Sequence, residues 1–230
     1  MNRDPSEILN RLLIEGQTVG LSFPWHRSKN AYKWLIAESL LRRTTRTAAL
    51  RAYRELLRVY PSWVALSRAS EEDVAGAVAW MGLGRQRARQ LVALARAITE
   101  RFHRRVPKTR AELLQLPGVG NYTADAIMLY VRNEKAFPID ANVQRVLRRA
   151  LGMPTPVGTR HSEPYRDRPM QALRELAVQS YTASELATIH RAILHMAWTS
   201  CRPRPQCEYC PLRSVCLFLS KPHSRDSSSP

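Results

Sequence analysis

The sequence predicts an all-α fold, and three observations carry that reading. Apolar residues recur three and four positions apart along most of the chain, polar caps and acidic first turns precede those runs, and no stretch alternates apolar and polar like a half-buried strand. The 230 residues are 44% hydrophobic and 24% charged, a globular balance that excludes an intrinsically disordered chain and allows one large domain or two small ones. No apolar run nears the roughly 18 residues of a membrane span. Met1-Asn2-Arg3-Asp4-Pro5 lacks the apolar stretch of a signal peptide. A cytoplasmic, nucleoid-associated protein with no membrane partner is therefore expected.

The elements follow in order. Asp4-Pro5 reads as N-cap and first helical position, ahead of Ile8, Leu9, Leu12 and Leu13 at helical spacing. A second helix runs through Trp34, Leu35, Glu38 and Leu41, and a third through Leu50, Tyr53, Leu56 and Leu57. Ser70-Glu71-Glu72-Asp73 and Thr109-Arg110-Ala111-Glu112 each read as an N-cap with an acidic first turn. A helix over 87–101 places Leu91, Leu94 and Ile98 inside. Helices over 122–131 and 141–151 come next. The latter has Val143, Val146, Leu147 and Ala150 on one face and Gly152 as its stop. Helices over 170–179 and 184–198 complete the set. No internal repeat stands out, and the polar, serine-rich end at 223–230 is expected to be disordered.

The net charge of +17 suits a polyanion, most often nucleic acid; a surface adapted to heat or salt is the alternative. Only five of the 36 basic residues are lysines, so the planar arginine fork dominates, which suits phosphate although base composition of a genome biases it too.

Three motifs carry chemistry. Leu116-Pro117-Gly118-Val119-Gly120 lies between two predicted helices, and its glycines allow a tight turn and close approach of a ligand. The next helix starts at once, so its free N–H groups face the turn and suit a DNA phosphate. With the capped helix before it and Asn121-Tyr122-Thr123-Ala124 after it, the motif reads as a helix-hairpin-helix. The second motif is Phe137-Pro138-Ile139-Asp140-Ala141-Asn142-Val143. Asp140 sits at an N-cap position, where the helix dipole keeps a carboxylate ionised. A fixed negative charge beside a sugar that becomes oxocarbenium-like lowers the barrier to glycosidic cleavage, and the same group can orient a water; alone, the residue reads only as a cap. The third motif is Cys201-x5-Cys207-x2-Cys210-x5-Cys216, which holds every cysteine of the chain. Four thiolates in so short a loop can close around one metal centre, and spacing alone leaves iron–sulfur and zinc both open. Arg202, Arg204 and Arg213 decorate the loop.

Hairpin, downstream aspartate and terminal four-cysteine loop, in this order, resemble the endonuclease III superfamily of DNA glycosylases over roughly 23–216. The resemblance implies a [4Fe–4S] cluster on Cys201, Cys207, Cys210 and Cys216, although the family's first gap is often six residues rather than five. It implies two all-helical domains: a six-helix barrel carrying the hairpin at 28–138, and an iron–sulfur domain formed by 1–27 with 139–222. The expected partner is double-stranded DNA with a mismatched or damaged base, bound by a monomer.

Tyr122 marks the branch. In the bifunctional enzymes of the family the matching residue is a lysine that attacks the sugar. Tyrosine has no amine, so the resemblance implies a monofunctional enzyme that leaves an abasic site. In adenine glycosylases of the MutY type the position is usually serine. Tyrosine within Gly118-Val119-Gly120-Asn121-Tyr122-Thr123 is similar to the archaeal thymine-DNA mismatch glycosylases. Phe23-Pro24-Trp25 and Glu38-Ser39-Leu40-Leu41-Arg42-Arg43-Thr44-Thr45 agree, because MutY-type chains share the glutamate but tend to carry glutamines at 42 and 43. Excision of thymine or uracil opposite guanine is the implied reaction. Glu38 and Tyr122 would meet the flipped base and Asp140 the sugar cation. Arg43 and the Gly82-Leu83-Gly84-Arg85-Gln86 loop, with Leu83 and Arg85, would fill the hole and read the orphan guanine; a simple turn is the alternative for that loop. An adenine glycosylase and a non-catalytic DNA-binding module are the competing functions.

Overall fold

The computed structural model describes residues 4–20, 23–42, 44–154 and 164–219; the tail at 223–230 and Arg43 lie outside them. Eleven α-helices are present among these residues, and no strand. They are α1 (Pro5–Thr18), α2 (Ala31–Leu41), α3 (Arg46–Val59), α4 (Trp63–Ser67), α5 (Glu71–Ala77), α6 (Gly84–Arg101), α7 (Arg110–Leu113), α8 (Asn121–Ala126), α9 (Ala141–Ala150), α10 (Arg168–Ser180) and α11 (Ala183–Thr199). The expected all-α class is what the chain adopts. No described helix is long and apolar enough to cross a membrane. The chain divides into two compact units, Met1–Gly20 with Ile139–Pro230, and Leu21–Pro138.

In the first unit α1 and α9 both pack on α11. Ile8, Leu9 and Leu12 of α1, Val143, Val146 and Leu147 of α9, and Leu186, Ile189 and Ile193 of α11 are its buried face. Gly16 lets α1 approach closely: a Cβ there would meet the carbonyl oxygen of Thr188 at 2.5 Å. Buried Arg148 of α9 pairs with Asp167, which also caps α10 by accepting from Met170 N (3.1 Å).

In the second unit α2 packs on α3 and α6, and α4 and α5 pack on α6. Residues 23–27, expected in the iron–sulfur domain, fall in this unit instead. The reason is aromatic packing: Phe23 stacks on Trp25 (4.4 Å) and Trp25 tilts against Tyr53 (4.8 Å). The helix expected over 122–131 differs in kind. It starts as α8 and passes into a π turn, Ile127–Val131, closed by Arg132 N donating to Ile127 O (3.1 Å). Four consecutive residues, Ile127 to Tyr130, are buried there, and the wider turn accommodates them while Tyr130 stacks on Trp34 (4.6 Å).

Candidate active site

The hairpin is built by its two short arms. Thr109 and Glu112 cap α7 reciprocally: Thr109 Oγ1 accepts from Glu112 N (3.3 Å) and the Glu112 carboxylate accepts from Thr109 N (3.2 Å). Arg110 then ties α7 to α8, its Nε donating to the fully buried Asp125 (2.6 Å) and its Nη2 to Asn121 (2.7 Å). Between the arms, Leu116 and Val119 point inward, Val119 N donates to Leu116 O (3.1 Å), and Pro117 is half-buried. Gly118 has φ of +77°, a conformation that calls for glycine, and a Cβ there would also press on the Gln90 side chain at 2.4 Å. Gly120 differs from the expectation that both glycines serve the turn. Its backbone is extended, φ −99° and ψ −177°, and a Cβ would meet nothing within 4 Å. Its lack of a side chain leaves room beside the start of α8. Tyr122, half-buried, lies in the first turn of that helix.

Glu38 sits in the last turns of α2 with its side chain buried. The end of that helix is held by Arg87 of α6. Arg87 is 5% exposed, and its guanidinium donates to Ser39 O (3.0 Å), Leu40 O (3.1 Å) and Arg42 O. These are carbonyls at the end of α2 that have no helical partner there. Its Nε reaches Gly82 O (3.1 Å), so one buried cation binds the end of α2 to the 82–86 loop. Arg42 in turn donates Nη2 to Gly118 O (2.6 Å), joining the same helix end to the hairpin. Leu83 is the tip of this assembly. It is 52% exposed and held at φ of +65°, a left-handed conformation that costs a leucine roughly 1–2 kcal/mol. Arg85, the second residue of α6, is exposed. Glu38, the hairpin and the 82–86 loop are thus brought together within this unit, while Arg43 lies outside the described residues.

Asp140 belongs to the other unit. It caps α9: Oδ1 accepts from Asn142 N (2.9 Å) and Val143 N (2.8 Å), and Oδ2 from Asn142 Nδ2 (2.9 Å). Arg145 fixes Asn142 through Nη1 (3.1 Å) and reaches Cys201 O (2.9 Å) and Ala197 O (3.1 Å). The opposite end of α9 meets the cysteine loop. Arg149 Nη1 donates to Cys201 Sγ (3.6 Å), and Arg149 O accepts from Cys216 Sγ (3.7 Å). Cys201, Cys207, Cys210 and Cys216 line one small cavity with Arg149 and Arg213, and none is in a disulfide. Burial pushes the thiols of Cys207, Cys210 and Cys216 up, with their cysteine neighbours adding to the shift. No three His, Cys, Asp or Glu side chains among the described residues are grouped as ligands of a single metal ion. Four thiols around one cavity, with an N–H donor on sulfur, nevertheless fit the donor chemistry of an iron–sulfur cluster.

The tying roles of Arg42, Arg87 and Arg110 lay outside the sequence reading, which placed Arg42 only as a branch marker and Arg110 only in a capped first turn. Only Arg87 carried a signal, because it falls on the apolar stripe of Leu91, Leu94 and Ile98, where a solvated arginine does not belong.

Comparison with known proteins extends the picture. The thymine-DNA glycosylase of Aeropyrum pernix is 32% identical over 217 residues, covering 93% of this chain and 95% of that protein. The thymine/uracil-DNA glycosylase of Methanothermobacter thermautotrophicus is 31% identical, covering 96% of each. A solved structure of a thermostable thymine-DNA glycosylase superposes with a TM-score of 0.81 at 30% identity, over 95% of this chain and 97% of that one. Residues 36–164 match the model of the HhH-GPD superfamily of base excision DNA repair proteins. A hairpin built on Gly118, a helix-capping aspartate downstream of it and this end-to-end likeness place the chain in the HhH-GPD superfamily.

Proposed function

We propose that the protein is a monofunctional DNA glycosylase that excises thymine or uracil mispaired with guanine. The observation that carries this is the likeness along nearly the whole chain to thymine- and thymine/uracil-DNA glycosylases, joined to a tyrosine at 122 and no lysine between 109 and 134. The substrate is double-stranded DNA, gripped through phosphates by arginines and by Leu116-Pro117-Gly118-Val119-Gly120, where the open space at Gly120 admits the backbone.

The mismatched nucleotide is turned out of the stack at a cost of a few kcal/mol, less than for a normal pair. Leu83, exposed and already held in its strained conformation, enters the gap, and Arg85 meets the orphan guanine. Arg43 is assigned to the same task. Tyr122 packs on the base and Glu38 hydrogen-bonds its polar edge. Asp140, its carboxylate held by three N–H donors, faces the sugar as the glycosidic bond breaks. Water adds to the sugar carbon, the base leaves, and an abasic site remains in an unbroken strand. Cys201, Cys207, Cys210 and Cys216 would hold a [4Fe–4S] cluster, whose contribution is to cross-link the loop that Arg145 and Arg149 brace against α9.

Single-turnover assays on T·G, U·G and A·8-oxoguanine duplexes test the proposal. Thymine and uracil release, with strand breaks only after alkali, is the expected result. Adenine release without thymine release favours the MutY-type reading, and tight binding without any release favours a non-catalytic module.

A further inference from the structure

One open groove of the second unit is lined by none of the residues assigned above. It has a volume of about 600 Å³ and runs between α3 and α5, lined by Arg51, Arg54, Glu55, Arg58, Gly76 and Trp80 among others. Arg51, Arg54 and Arg58 stand on one face of α3 at spacings of three and four, spanning about 10 Å at 1.5 Å per residue. That equals about three nucleotides of one B-form strand. Arg58 is paired with Glu55 (2.6 Å), whereas Arg54 is exposed and has no ion-pair partner among the described residues. The floor is aromatic: Trp80 is 41% exposed and carries the Arg51 guanidinium 4.4 Å from its ring centroid. A second groove, of about 520 Å³, adjoins it, lined by Leu83 and Arg85, with Glu72 on its rim. The two grooves share Gly76 as a lining residue, so they are neighbours on this unit.

We propose that the α3–α5 groove binds the DNA strand opposite the excised base: Arg51, Arg54 and Arg58 take its phosphates, and an unstacked base rests on the Trp80–Arg51 pair. This rests on the assignment of the 82–86 loop to the opened duplex. The chemistry is that of single-strand recognition, in which a cationic track follows the backbone and an aromatic–guanidinium plane accepts any base. Continuity with the loop selects the strand. A chain leaving the orphan base past Leu83 and Arg85 meets Gly76 next and then the arginines. Gly76 lines both grooves, and a Cβ there would meet nothing within 4 Å, so a larger side chain at this position would project into open space without disturbing the packing.

Gly76 also supplies the test, because substitution there does not strain the fold. Binding of wild type, Gly76→Ala, Gly76→Glu and Arg54→Ala to a T·G duplex with a non-cleavable thymidine analogue is followed by anisotropy across salt concentrations. Loss of one phosphate contact lowers the slope of log K against log salt by about 0.9, equivalent to about eightfold in affinity at 0.1 M salt. Arg54→Ala should show that loss, Gly76→Glu at least as much, and Gly76→Ala none. A photoreactive 5-iodouracil about two to four nucleotides from the orphan guanine, on its own strand, should cross-link to the Trp80 peptide. Wild-type slopes for both Arg54→Ala and Gly76→Glu overturn the proposal, as does an adduct that is absent or forms only from the lesion strand. Base release by wild type reports separately on the glycosylase reading. Release with unaltered slopes sinks the groove alone, and altered slopes with the adduct but no release sink the glycosylase reading alone.

Discussion

Replacing Asp140 by asparagine separates the capping this side chain performs from the catalytic charge proposed for it. As a cap, its Oδ1 accepts from two backbone N–H groups, at 2.9 and 2.8 Å, and the amide oxygen of asparagine can take both. The new NH2 then faces Asn142 Nδ2, which now donates to Oδ2 at 2.9 Å. Turning the Asn142 amide would restore a bond there but surrender the one accepted from Arg145 Nη1 at 3.1 Å. The structural cost is therefore about one hydrogen bond, on the order of 1 kcal/mol, against a typical stability of about 5–15 kcal/mol. As a catalytic charge, the loss is larger. Removing a preorganised group aimed at developing charge costs about 100- to 1000-fold in rate, or about 2.7–4 kcal/mol. Asp140→Asn should thus melt within a few degrees of wild type, bind a T·G duplex with similar affinity, and release thymine at least about a hundredfold more slowly in single turnover. Asp140→Ala, which also loses the cap, should fall further in Tm by about 2–4 °C per kcal/mol. Release by folded Asp140→Asn within about tenfold of the wild-type rate would remove the charge from the mechanism.

Other outcomes follow from the same geometry. Tyr122→Lys should gain borohydride-trappable complex and some strand cleavage while losing base release, because it puts an amine where the bifunctional branch carries one and removes a ring from the base; efficient trapping of wild type would refute the monofunctional assignment. Arg87→Lys should lower Tm and weaken T·G binding together, since an ammonium cannot reproduce a fork donating to four carbonyls; unchanged binding would show that the 82–86 loop holds itself. Asp167→Asn should destabilise the first unit by about 3–5 kcal/mol, the range for breaking a buried ion pair, as read by chemical denaturation. Cys207→Ser should eliminate iron and sulfide from anaerobically prepared protein and impair folding or DNA binding more than the chemical step; stoichiometric zinc in wild type would overturn the cluster assignment.

Much of this molecule was readable as a string. Caps at Asp4, Ser70, Thr109 and Asp140 stand where side-chain chemistry marks them, because capping is a local bond between residues two or three apart. Helices with a clear apolar stripe, such as α3, α6 and α9, followed their period. What escaped is what depends on distant partners. Five-residue α4 is too short to show a period. The π turn after α8 answers to packing around Trp34, nearly a hundred positions away in sequence. Gly118 and Gly120 look alike in the motif, yet only one is demanded by the turn, and the difference appears with φ and with the position of Gln90. Arg87 sat in view as a charge on an apolar stripe, but its four acceptors are carbonyls, which a sequence does not display.

Those carbonyls explain how a strained, exposed leucine is held ready. Ordering a loop costs about 1–2 kcal/mol per residue, so fixing Gly82 and Leu83 ahead of α6 only upon DNA binding would take about 2–4 kcal/mol, comparable to the few needed to turn out a mismatched base. Arg87 removes that burden in advance. A charge-assisted hydrogen bond contributes about 1.5–3 kcal/mol, so the bond to Gly82 O alone offsets the left-handed conformation of Leu83. Because the same guanidinium and Arg42 bind the end of α2 to the loop and to the hairpin, a shift in one is felt by the other two. The residues proposed for base reading, gap filling and phosphate grip are thereby tied to one junction whose acceptors are all backbone carbonyls. The outward side chains can then vary without disturbing it, and substrate choice within such a family can change at Tyr122, Glu38, Leu83 or Arg85 while the frame persists.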